Sequence, residues 1–285
     1  MSIFRTYNQH MYKKQYLILL CCLSALNFAA CQKNSPFIQA EGTNVETRVK
    51  APSGFERLAA PAGSFAAYLR KISLKPASAG VFLYNGLPKL NQVHVAVMDI
   101  DVGTRDLQQC ADAVMRLRAE YLYAQKRYAD IHFNFTNGFN CIYPKWREGY
   151  RVKVSGNQVS WYKKGAVDGT YKTFRSYLDM VYSYAGTLSL EKELKPVKYR
   201  EMNIGDVLIR GGSPGHAVIV VDMAQNAKTG EKLFLLAQSY MPAQDIHILQ
   251  NPNDPKLSPW YSTNTSGEAV LTPEWDFVKG NLRRF

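Results

Sequence analysis

The chain has 285 residues, 46% of them hydrophobic and 20% charged, enough for a buried core in one large domain or two small ones. That composition excludes a disordered tail, a collagen-like fibre and a coiled coil, and near-average Gly and Pro (19 and 13) exclude low-complexity architecture. The formal net charge is +12; without Arg5, Lys13 and Lys14 of the leading segment, 32 basic residues stand against 23 acidic ones, or +9. No basic stripe interleaves with aromatics, so no nucleic-acid partner is expected and the charge suits an anionic envelope or polymer.

At the start of the chain, Lys13 and Lys14 precede an apolar run from Tyr16 to Leu26, and Ala29, Ala30 and Cys31 follow. That order is the n-region, h-region and small-residue cleavage site of a secretory signal. The run is shorter than the ~20 residues a membrane-spanning helix needs. Met11 is an alternative start to Met1. Ala29-Ala30-Cys31 resembles the bacterial lipobox, with Phe28 where Leu is usual. The resemblance implies acylation of Cys31, attachment to the membrane through lipid, and the oxidising periplasmic face of the cell envelope. Gln32 after the cysteine favours the outer membrane. The expected organisation is a lipoprotein signal peptide over 1–30, a tether over 31–50 and a single α+β domain over 51–285.

Within the domain, Ser64 to Ile72 has helical spacing, with Phe65, Leu69 and Ile72 on one face. Val81–Tyr84 and Val93–Ile100 read as strands around the Asn85-Gly86 turn. Thr104 is a cap for a long helix from Arg105 to about Arg127, although a start near Gln108 is open. Residues 132–161 read as short strands and loops, broken at Ser155-Gly156-Asn157. Thr170 to Ala185 is a second long helix stopped at Gly186, and a short helix over Leu190–Lys195 ends at Pro196. Three strands close the reading: Asp206–Arg210, His216–Met223 after the Gly211–Gly215 turn, and Leu233–Tyr240 after the Asn226–Gly230 turn. Val218–Val221 is apolar on both faces, which places its strand at the centre of a sheet.

The chemistry gathers on this strand trio. A hairpin centred near residue 227 or 228 brings His216 opposite Gln238 or Tyr240, which share one sheet face. An imidazole oriented by a carboxamide is the base half of a nucleophilic site. Cys110, near a helix N-terminus, is the candidate nucleophile. It also falls on the apolar face with Leu107, Ala111 and Val114, so a buried inert thiol is the alternative. Cys110 and Cys141 are free to form a disulfide or to stay apart, and the sequence leaves both open. The five histidines lack metal-ligand spacing, and no phosphate loop or dinucleotide fingerprint occurs, so no metal or cofactor is expected. Asp99 and Asp101 are a carboxylate pair at a strand end.

Two resemblances add to this reading. Asp106–Leu122, Ile131–Thr136, Tyr184–Leu190, Pro214–Val220 and Leu236–Gln244 resemble an uncharacterised family of bacterial lipoproteins that carries a domain of unknown function. Gly205-Asp206-Val207 ahead of Gly215-His216-Ala217-Val218 is similar to the strands of NlpC/P60 and CHAP cysteine peptidases and amidases. That similarity implies a papain-like core, with a central antiparallel sheet, a packed N-terminal helix and insertions. It also implies Cys110 as nucleophile, His216 as base and Gln238 as the residue that orients the ring. The setting Gln109-Cys110-Ala111 departs from the pattern, and residues 130–200 would be an insertion. Two functions follow: a cysteine peptidase or amidase acting on peptidoglycan or a related envelope polymer, or a non-catalytic envelope lipoprotein binding glycan, peptide or a protein partner, with Trp260, Tyr261 and Trp275 as contact surface.

Overall fold

Val218–Val221 has no polar face, and in the computed structural model, which describes residues 35–285, both of its faces are covered. Among the described residues nine strands form one sheet around it. They are β1 (Glu56–Arg57), β2 (His94–Val97), β3 (Lys195–Pro196), β4 (Val207–Arg210), β5 (His216–Gln225), β6 (Lys232–Gln238), β7 (His247–Leu249), β8 (Tyr261–Ser262) and β9 (Leu282–Arg284). The main path runs β2-β7-β6-β5-β4-β9-β3, and every neighbouring pair is antiparallel. The long strands β5 and β6 each take a second short partner farther along, β1 on β5 and β8 on β6. The protein is a mixed helix-and-sheet fold built on a large antiparallel sheet.

Among the described residues six α-helices accompany the sheet: α1 (Val45–Arg48), α2 (Phe65–Arg70), α3 (Cys110–Ala124), α4 (Tyr143–Arg147), α5 (Tyr171–Tyr184) and α6 (Thr187–Glu193). Both α2 and α3 pack on β5. Ser64 caps α2 by accepting the Ala67 amide at 3.1 Å, and Thr170 caps α5 by accepting the Thr173 amide at 3.3 Å. Phe174, Tyr177, Leu178 and Val181, at helical spacing on α5, are all fully buried.

Several elements differ from expectation. Helix α3 begins at Cys110, in keeping with the alternative start near Gln108 and not at Arg105. Residues 105–109 turn too tightly for a helix, with Leu107 N donating to Arg105 O and Gln109 N to Leu107 O. The start is set by Asp112, whose Oδ2 accepts the Gln109 amide at 3.0 Å. Val81–Tyr84 makes isolated bridges, Phe82 to Pro88 and Leu83 to Gln244, in place of a strand. Between α3 and β3 lie two small hairpins (132–134 with 140–142, and 150–155 with 158–163), then α5 and α6.

Residues Phe37–Phe285 form one compact unit. Residues 37–50, expected as part of a tether, belong to it. Val45, Arg48 and Val49 of this stretch are buried, and the Trp260 indole donates to Lys50 O at 2.8 Å. The three apolar or amphipathic side chains find a place in the core that a polar tether would not offer. The signal peptide and Cys31 lie outside the described residues.

Candidate active site

Position N1 of α3 holds Cys110, and α3 lies against β5, whose first residue is His216. The amides of Ala111, of Ala217, one residue beyond the imidazole, and of Cys110 itself lie near enough to the Cys110 sulfur to favour its thiolate. The first amides of a helix have no intrahelical acceptor, which explains why two of these three point at the side chain. Across the sheet, Val221 is an extra residue in β5, because Leu235 pairs with Asp222 while Leu236 pairs with Val220. The register that follows sets His216 towards Tyr240, with Gln238 diagonal to it on the same face.

The imidazole and the carboxamide meet. His216 Nε2 and Gln238 Oε1 are 2.9 Å apart, both residues buried. The other end of the amide, Gln238 Nε2, donates to Glu274 Oε2 at 2.7 Å and approaches His247 Nε2 at 3.4 Å. Glu274 forms an ion pair with Lys89, so its oxygens act as acceptors. His247 Nδ1 lies 2.9 Å from Asp245 O and so carries the proton, leaving Nε2 as an acceptor. The amide NH2 therefore faces Glu274 and His247, and Oε1 faces His216. Oε1 can only accept, so His216 carries its proton on Nε2, and Nδ1 is its basic nitrogen.

Aromatic rings close over this pair. Tyr240, Trp275 and Phe277 lie 4.9, 5.5 and 5.9 Å from the His216 ring, centroid to centroid. Trp275 and Phe277 belong to the hairpin Ala269–Leu271 with Asp276–Val278, whose turn also carries Glu274. Cys110 is 6% exposed and His216 1%. Among the described residues no hydrogen bond joins the sulfur to the imidazole. A groove of about 1130 Å³ lies elsewhere, along Lys198, Tyr199, Lys232 and Lys279.

Burial sets the protonation states. It pushes the Cys110 thiol up to about 11, with the Asp112 carboxylate adding to the effect against the three amides. The depressed thiol expected of a helix N-terminus is thus reversed, because desolvation outweighs the amides. His216 is pulled down to about 4 by burial, against the bond to Gln238. His247 falls to about 3, again chiefly through burial. Both ring systems are neutral at neutral pH.

The remaining sequence candidates fall out as follows. Cys110 and Cys141 are both free thiols and buried, with no disulfide between them. Trp260 and Tyr261, offered as contact surface, are buried, and only Trp275 stands beside the site. Asp99 and Asp101 lie beyond the end of β2, the Asp101 side chain 77% exposed and 3.4 Å from Arg175. No cluster of three or more metal-ligating side chains occurs among the described residues. The Gly205-Asp206 pair serves the fold. Gly205 has φ +94°, and a Cβ there would come 2.8 Å from the Phe65 ring. Asp206 holds Arg284 through two bonds of 2.6 and 2.7 Å. The glycines before His216 accommodate α6: a Cβ on Gly215 would meet Thr187 Oγ1 at 2.4 Å. Sequence reasoning missed Glu274 and Lys89, since neither lies in a motif or shares a periodic element with Gln238.

A family model described as "Domain of unknown function (4846)" matches residues 45–284. The chain belongs to this family. The match spans every element of the sheet and all the residues gathered around His216. Its start at Val45 includes α1, in keeping with the packing of that helix into the domain. Comparison with curated proteins and with solved structures gives no match.

Proposed function

We propose that this protein is a cell-envelope lipoprotein whose papain-like, NlpC/P60-like core hydrolyses amide bonds in peptidoglycan or a related envelope polymer. The reading is carried by one observation: a helix-start cysteine lies beside the strand that opens with His216, and the ring is bonded through Nε2 to Gln238. In this reading His216 Nδ1 takes the Cys110 proton as the sulfur attacks the amide carbonyl carbon. The carbonyl oxygen becomes an oxyanion, for which the Cys110 amide at the open end of α3 is a donor once the sulfur has moved onto the carbonyl carbon. Collapse of the tetrahedral intermediate breaks the C–N bond, and the amine leaves with the proton from His216. Water then attacks the thioester, giving its proton to His216, and the thiol is restored as the acid departs. Gln238 holds the tautomer through both halves. Acylated Cys31 would keep the domain on the periplasmic face of the outer membrane.

A second reading, a non-catalytic envelope lipoprotein that binds glycan, peptide or a protein partner with the same fold, is favoured by the burial and raised pKa of Cys110. Digestion of purified muropeptides separates the two. The amidase reading expects new amine and carboxyl termini with the wild type and none with Cys110→Ala. A folded wild type that leaves every muropeptide intact while binding sacculi equally well with and without the substitution would establish the binding reading.

A further inference from the structure

Behind Gln238 the polar chain continues to two side chains with no part in the chemistry written above. Glu274 Oε2 accepts from Gln238 Nε2 at 2.7 Å, and Glu274 Oε1 pairs with Lys89 Nζ. The Glu274 side chain is 10% exposed and that of Lys89 8%, so the pair is shielded from water. Asn91 Nδ2 lies 3.4 Å from the same Oε1. A primary amide has nearly the same shape in either direction, so its direction must be chosen by its neighbours. At the far end of Gln238 those neighbours are Glu274, which accepts, and His247 Nε2, a longer contact that also accepts. At the near end is His216, whose two tautomers would satisfy either direction equally well.

We propose that Glu274, anchored by Lys89, is a positioning residue that sets the direction of the Gln238 amide and through it the tautomer of His216. Reversing the polarity at this position should then reverse the amide. An ammonium introduced in place of the carboxylate would donate to Oε1, the NH2 would face His216, and Nε2 would have to accept. The proton would move to Nδ1, and the nitrogen assigned as the base would be lost. The catalytic meaning of this device rests on the amidase reading, whereas the tautomer itself does not.

The test is nitrogen NMR of the histidine rings in the full chain, which distinguishes Nδ1–H from Nε2–H directly. Wild type is expected to show His216 as the Nε2–H form. The exchange variant Lys89→Glu with Glu274→Lys keeps an ion pair in place and is expected to show the Nδ1–H form as the majority. An exchange variant with a dispersed amide spectrum and His216 still wholly Nε2–H overturns the proposal. Glu274→Gln keeps the side-chain length and can present either a donor or an acceptor; it is expected to bring in the second tautomer at about a tenth of the population or more. Should the exchange variant fail to fold, Glu274→Gln decides alone, and a ring spectrum identical to wild type overturns the proposal. If the tautomer switches while wild type proves inactive on muropeptides, the amidase reading falls and the positioning role stands. If wild type is active, the switch should lower kcat with little change in KM.

Discussion

The protonation of the Cys110–His216 pair can be tested without a substrate. With the thiol near 11 and the imidazole near 4, moving the proton from sulfur to ring is uphill by roughly 9–10 kcal/mol, before the attraction between the resulting ions is counted. Even for ions in contact at about 4 Å, an effective dielectric of about 20 returns only about 4 kcal/mol, which leaves the neutral pair in command. Alkylation of the full chain by iodoacetamide, with peptide mass mapping to follow Cys110 alone, should therefore climb about tenfold per pH unit from pH 7 to pH 10. At pH 7 about one sulfur in ten thousand is thiolate, so the rate should fall roughly a hundredfold below that of a thiol titrating at 9.0. A fast plateau that extends below pH 7 would refute this reasoning, because only a resident thiolate–imidazolium pair produces it.

Three further outcomes are expected. His216 and His247 have folded pKa values below the ordinary 6.5, so the stability they confer is complete above that value and is lost as pH falls through about 4 and about 3. For His216 alone this amounts to about 3 kcal/mol, and urea midpoints measured between pH 7 and pH 4 should drop less in His247→Phe than in wild type. Asp206→Ala removes a buried carboxylate that accepts from the partly exposed Arg284 and from the Asn203 amide, and should cost roughly 1–2 kcal/mol in urea unfolding. Cys31→Ser should release the protein from membranes and abolish labelling by a fatty-acid probe; retention without label would end the lipoprotein reading.

What could be read from the sequence were the features whose signal is local. Ser64 and Thr170 mark helix starts because a hydroxyl reaches an amide three residues on, and Val218–Val221 marks a central strand because it has no polar face. Side-chain alternation across a hairpin centred at 227 or 228 puts His216 and Gln238 on one face, but the turn pairs Gln225 with Lys232, and the bulge at Val221, which has no local signal, restores that register. Glu274 was not legible, since it reaches the site from a turn 36 residues beyond Gln238. The start of α3 stayed open between Arg105 and Gln108 because Thr104 and Asp112 both look like helix-start residues, and only the tight turn over 105–109 decides between them. The Gly205-Asp206 pair looked chemical and proved structural, because its partners Phe65 and Arg284 are remote in sequence.

The extra residue at Val221 carries a consequence of parity. Side chains alternate along β5 and β6, so one inserted residue inverts which of them share a face beyond it. Were Val221 paired with Leu236 in an unbroken ladder, His216 would stand across from Met241, and Gln238 and Tyr240 would project from the opposite side of the sheet. The meeting of base and carboxamide thus depends on an equal count of residues in the two strands between the bulge and the strand mouth. Changes of length are compatible with the site in the turn itself, which lies outside that count. Between the bulge and the strand mouth they are compatible only as matched pairs, one residue lost from β5 for one lost from β6. Deletion of Val221 itself would close the bulge and keep His216 across from Tyr240, whereas one residue inserted between His216 and Val220 would leave composition, charge and hydrophobic content almost untouched and still dismantle the site.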